Sequence, residues 1–167
     1  MANVEPDGSS LFGRAAWPLL ILSAVLAGYF GLSSLLLPFV GAPNLYTGID
    51  RWIVPAAGAL QLMVAVVAFV LAVRRDLRGA TLALAVCLML GWLETLLPAI
   101  RNGLNFRADA WLTSAYFVAL PVLAFSAAAL TWRNPHPILA ALIVTAPTSA
   151  GLLFSIAFAI IIAMYGF

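Results

Sequence analysis

The sequence predicts an all-α fold: a polytopic membrane helix bundle with five transmembrane helices. Three observations carry that prediction. The composition is 65% hydrophobic and 8% charged, with a mean hydropathy of +1.10, far from soluble globular usage. Five long apolar stretches alternate with short loops that hold most of the charge, and about 20 such residues suffice to cross a bilayer. Four of the five tryptophans, Trp17, Trp52, Trp111 and Trp132, fall at the ends of those stretches, where an interfacial aromatic belt places them.

Residues 1–16 read as an N-terminal tail, with an interfacial turn at Leu11-Phe12. The first helix is expected over 17–40, too long and too apolar for a cleaved signal core of about 7–15 residues. The second spans 52–73, the third 79–100 and the fourth 111–132. The fifth, 138–165, has 28 residues, more than a straight perpendicular crossing needs. It carries Pro147, whose missing N–H predicts a kink or tilt. The hydroxyls of Thr145, Thr148 and Ser149 either satisfy the freed carbonyls or help line a cavity at the break. Ser23, Ala27 and Gly31 form a ridge of small residues suited to close helix packing.

Arginine sets the expected orientation. The N-terminal side holds Arg14, Arg74, Arg75, Arg78 and Arg133, and the opposite side holds Arg51, Arg101 and Arg107. Five against three places the N-terminus in the cytoplasm and residues 1–16 in a cytoplasmic tail. A re-entrant fifth segment would return the C-terminus to that side. The expected location is the bacterial cytoplasmic membrane, with the lipid bilayer as the first partner. Arg74, Arg75 and Arg78 serve as a topology determinant and are candidates for contact with anionic lipid or a partner protein.

The absent residues narrow the function. With no Lys there is no Schiff base and no lysine-dependent chemistry. One histidine, His136, cannot supply two axial ligands to a haem, and it reads as a loop residue. One cysteine, Cys87, excludes an intramolecular disulfide and reads as a packing residue. His, Cys and acids do not cluster at metal spacing, so no metal site and no resident cofactor is expected. A net charge of +2 spread over loops gives no nucleic-acid surface.

The third helix aligns on the first at an offset of 60 residues. Gly31 falls on Gly91, Leu36-Leu37-Pro38 on Leu96-Leu97-Pro98, and Ser34 on Glu94; the following helices open with Trp52 and Trp111. This pattern predicts that the first four helices are a tandem duplicated helical hairpin, a parallel repeat forming a two-by-two bundle, with the fifth an appendage.

Gly58-Ala59-Leu60-Gln61-Leu62 in the second helix, its basic exit Arg74-Arg75-Asp76-Leu77-Arg78-Gly79, and the Ala-rich third helix carry a family resemblance. Over residues 15–132 the chain resembles the DoxX-like family of small four-helix membrane proteins. The resemblance implies a four-helix bundle and, for some members, a link to quinone-dependent redox complexes, so a quinone is the one cofactor it suggests. It implies no catalytic residue here, and the fifth helix departs from its pattern.

Glu94 is the candidate on which an intramembrane function turns. Ala80, Ala83, Cys87, Gly91, Glu94, Pro98 and Arg101 share one face of the third helix. Small residues mark the side where helices approach, so Glu94 is expected to face the bundle. It sits six residues from Ile100, about 9 Å at 1.5 Å per residue, and Arg101 lies about 10 Å beyond it. Ser33, Ser34, Thr113 and Tyr116 reach similar depth, and Gln61 lies deeper. Glu94 is then either a proton or cation site, or the polar end of a pocket with Tyr116, or a hydrogen-bonded clasp between helices.

No catalytic motif is present, so an enzyme is not expected. The leading expectation is an accessory or assembly subunit of a larger membrane complex, or a self-associating bundle. A small transporter or channel built on Glu94 is the alternative, and a quinone-linked redox component is a third reading, by family analogy alone.

Overall fold

The computed structural model describes residues 11–41, 50–103, 111–133 and 136–165. Among them the chain is helical: α1 (Leu11–Leu36), α2 (Asp50–Val73), α3 (Leu77–Asn102), α4 (Trp111–Arg133) and α5 (Pro137–Tyr165). All five are long and apolar enough to cross a membrane.

Two boundaries differ from expectation. Residues 11–16 form the first turns of α1 instead of ending the tail, and Leu11-Phe12 opens the helix. Packing explains the extension: Ala16 is buried in the core and Trp17 packs against it. At the other end, α1 does not simply exit at Pro38. It widens into a π-helical turn, Leu37–Gly41, where Pro38 supplies no N–H to continue the α pattern. The corresponding Pro98 stays inside α3, so the two Leu-Leu-Pro landmarks end differently.

The α2–α3 connection is a short reverse turn with a complete set of backbone bonds. Arg75 adopts φ 60°. The Arg75 N–H bonds the Ala72 carbonyl at 3.0 Å, and the Asp76 N–H bonds the Leu71 carbonyl at 2.9 Å. This is the Schellman pattern, which closes a helix through a left-handed residue. Asp76 then caps α3, accepting from the Gly79 N–H at 2.9 Å. A Cβ on Gly79 would fall 2.5 Å from Asp76 Oδ2, so any other residue there would push the capping carboxylate aside. Arg74, Arg75 and Arg78 are exposed, and Arg78 donates to the Trp132 carbonyl at 3.3 Å, joining the start of α3 to the end of α4.

The interior is built mainly from alanines, including Ala24, Ala68, Ala72, Ala80, Ala124, Ala127 and Ala141. In lipid, small side chains of this kind let helices approach by shape. The tightest crossing is between α1 and α2. A Cβ on Gly31 would lie 2.7 Å from the Leu62 nitrogen, and one on Gly58 would lie 2.7 Å from the Gly31 oxygen. Gly28 rests on Ala65 and Leu62. The ridge expected from Ser23, Ala27 and Gly31 therefore divides: Gly31 packs on α2 beside Gly28, while Ser23 and Ala27 line an internal space.

The fifth helix is not an appendage. Its first half packs against α1, α3 and α4, with Ala140, Ala141, Val144, Thr145 and Pro147 buried. Among the described residues α1 and α4 do not touch, so α5 occupies the fourth side of the expected two-by-two arrangement. Small residues on α5 permit that insertion. Beyond Leu152 every described side chain of α5 is exposed. At 29 residues the helix is about 43 Å long, against a hydrocarbon core of about 30 Å.

Two of the prolines inside helices have side-chain hydrogen bonds to backbone carbonyls nearby. Pro121 cannot donate to the Phe117 carbonyl one turn back. The Trp92 indole N–H reaches across from α3 and bonds that carbonyl at 2.9 Å. Near Pro147, the Thr145 hydroxyl donates to the Ala141 carbonyl at 2.9 Å and Ser149 to the Thr145 carbonyl at 3.0 Å. These bonds go to carbonyls on either side of Ile143, whose own partner the proline removes.

Candidate functional site

All five helices border one internal cavity of ≈ 530 Å³. Helix α1 contributes Ser23, Leu26, Ala27, Phe30 and Ser34, and α2 contributes Gln61. From α3 come Leu84, Cys87, Leu88, Gly91, Glu94 and Thr95, and from α4 Tyr116 and Leu120. Val144, Pro147, Thr148, Gly151, Leu152 and Ser155 of α5 complete the wall. The α5 insertion is what encloses the space.

The cavity has two unlike ends. Its buried part lies among Ser23, Leu84, Cys87 and Val144, and its exposed part among Thr95, Tyr116, Gly151 and Ser155. A space of this size, mostly apolar with a few convergent polar groups, has the proportions of a small-molecule pocket.

Glu94 lies on the cavity wall. Its Oε2 accepts from Ser34 Oγ at 2.8 Å, and its Oε1 is buried with no hydrogen-bond partner. The helical face read from sequence turns inward: Ala80 and Cys87 are buried, and Gly91 faces the Gln61 amide. Gln61 is 6% exposed. Its Nε2 donates to the Ala27 carbonyl at 3.4 Å, which orients the amide and leaves Oε1 without a partner. Ser23, one turn before Ala27, is 3% exposed and its Oγ is also unpartnered.

The structure thus brings Ser34, Gln61, Glu94 and Tyr116 to one cavity. Tyr116 stands at the open end, half exposed. Arg101 is in α3, but its side chain and that of Thr113 lie outside the described residues. Arg74, Arg75 and Arg78 are at the opposite end of the bundle, away from this site. Thr148 lines the cavity beside Pro147, the second of the two roles expected for that segment. Cys87 packs with its Sγ 4.0 Å from the Gln61 carbonyl, and His136 is exposed at the start of α5.

Ser23 is the site residue that the sequence reading assigned to packing alone. Its polarity inside an otherwise small-residue ridge was the available signal. Among the described residues no group of three or more His, Cys, Asp or Glu side chains stands where it would hold a metal ion. Compared with protein-family models, curated proteins and solved structures, the chain matches none.

Proposed function

We propose that this protein is a small membrane transporter or channel that admits a solute or cation to its intramembrane cavity, with Glu94 as the proton or cation site. One observation carries this reading: the only acid within the described spans sits on the wall of a cavity bordered by all five helices, with one carboxyl oxygen held by Ser34 and the other unpartnered. An ionisable group inside a bundle is costly to keep there unless it is used.

The test is flux in proteoliposomes, read with an internal pH-sensitive dye for protons and with isotopically labelled cation or solute for the rest. Wild-type protein is expected to conduct protons or a monovalent cation, and Glu94→Gln to abolish that flux. An inactive wild type across protons, monovalent cations and organic solutes ends the proposal.

A second reading, an accessory or assembly subunit or a self-associating bundle, is favoured by α5, whose second half has no buried side chain. Native purification that recovers neither a partner nor a dimer rules it out. Placement in a bacterial cytoplasmic membrane with a cytoplasmic N-terminus belongs to the same proposal and rests on the arginine asymmetry.

A further inference from the structure

From the unpartnered atoms of the cavity we infer that its ligand is an organic amine with an apolar body, bound with its ammonium on Glu94. This inference deepens the proposed function and rests on its assignment of the cavity as the binding site.

Three polar atoms on the wall are buried without a hydrogen-bond partner: Glu94 Oε1, Gln61 Oε1 and Ser23 Oγ. Leaving such atoms unsatisfied is unfavourable, so a bound molecule that donates to them gains correspondingly. They form a ladder. Gly91, one turn before Glu94, faces the Gln61 amide, with its ideal Cβ 3.9 Å from Nε2. The same amide reaches Ala27, one turn from Ser23. Gln61 thus stands between the Glu94 end of α3 and the Ser23 end of α1.

The chemistry of the rungs selects the ligand. Gln61 Oε1 accepts, while its Nε2 gives one N–H to the Ala27 carbonyl and keeps the other. Glu94, when ionised, accepts at both oxygens and brings the charge. The complement is a cation with N–H donors, and a second donor deeper in the cavity would reach Gln61 or Ser23.

A bare divalent ion does not suit this wall. Calcium takes six to eight oxygen ligands, and among the described residues the cavity offers one carboxylate. Most of the remaining lining is apolar, including Leu84, Leu120, Val144 and Leu152, with Tyr116, Thr148 and Ser155 among it, and the space is ≈ 530 Å³. Those features call for an apolar body that a hydrated ion lacks. An ammonium attached to such a body meets both requirements.

The full chain in phosphatidylcholine nanodiscs, titrated with dansylcadaverine and with its N-acetyl derivative, tests this. The two probes share a fluorophore and a pentamethylene chain, and only the first has a free amine. Emission is read against empty nanodiscs. Wild type is expected to show saturable, blue-shifted binding of the amine at least tenfold tighter than of the acetylated probe. Glu94→Gln should erase that preference and Glu94→Asp should retain it. Gln61→Leu should weaken the amine several-fold.

Equal affinity for the two probes, or a preference that survives Glu94→Gln, overturns the amine assignment while leaving the cavity as a binding site. Saturable binding of neither probe overturns the amine assignment and counts against the cavity reading beneath it. If Glu94→Gln does not fold, the comparison of the two probes on wild type and Glu94→Asp still decides.

Discussion

Ser34 and Glu94 are 60 residues apart in the chain and 2.8 Å apart in space, the serine hydroxyl donating to the carboxyl. Sixty is also the offset at which the third helix aligns on the first, with Gly31 on Gly91 and Leu-Leu-Pro on Leu-Leu-Pro. The contact therefore joins the two positions that the offset aligns, a hydroxyl on α1 and an acid on α3. On the far side α5, not α4, packs against α1.

Removing the serine hydroxyl should expose the value of that contact. Ser34→Ala leaves both Glu94 oxygens without a partner among the described residues, and hydrogen bonds to charged groups contribute about 1.5–3 kcal/mol. A loss in that range is expected in denaturant titrations of the purified protein in mixed micelles. With Glu94→Gln added, the two losses should fall short of additive by 0.5 kcal/mol or more. Strict additivity would show that the pair is not coupled.

The glycines at the α1–α2 crossing should tolerate almost nothing. At Gly31 a Cβ would press on the Leu62 backbone at 2.7 Å, and at Gly58 on the backbone of Gly31 and Leu35. Backbone cannot swing aside as a side-chain end can. Gly31→Ala and Gly58→Ala are each expected to cost about 1–3 kcal/mol, the range for overpacking. Gly151→Ala is the control: it has open space around it and should be neutral or slightly stabilising, since alanine favours helix over glycine. Similar losses at all three positions would refute the close crossing.

Much of the helix plan could be read from residues alone, because lipid forces a simple code. Apolar length sets a span, and Trp and Arg mark its ends. That code carried the five helices to within a few residues, except where packing at Ala16 drew α1 outward. The inward turn of Glu94 was readable too, since Ala80, Cys87 and Gly91 share its face. The position of α5 was not. A helix apolar on every side has no polar face to orient it, so Ala140, Ala141 and Val144 look no different from lipid-facing residues. The cavity was equally hidden, being what five packed helices leave unfilled. Gln61 and Ser23 acquire their roles only from neighbours on other helices.

The α2–α3 turn makes a prediction of opposite sign. Arg75 holds φ 60°, a conformation that costs a side-chain-bearing residue about 1 kcal/mol and glycine almost nothing. Arg75→Gly should stabilise the hairpin by about that amount while keeping both Schellman bonds. Asp76→Ala, which removes the cap on Gly79, should destabilise by about 0.5–2 kcal/mol. Unfolding midpoints of the two variants should therefore move apart from wild type in opposite directions. Movement of both the same way would contradict this turn geometry.

The contact between Trp92 and Phe117 predicts a dependence of one residue on a third. The indole N–H of Trp92 bonds the Phe117 carbonyl at 2.9 Å, and the two rings lie 5.3 Å apart. That carbonyl needs an outside donor because Pro121, four residues on, has no N–H to give it. Trp92→Phe keeps an aromatic ring against Phe117 but removes the donor. In the native background the orphaned carbonyl should cost about 1–3 kcal/mol. In a Pro121→Ala background the helix supplies its own N–H, so the same Trp92→Phe change should cost less than half as much. A four-variant comparison of stability in micelles measures the difference. If Trp92→Phe costs the same with and without the proline, the indole is held there by ring packing alone, and the carbonyl is not what it serves.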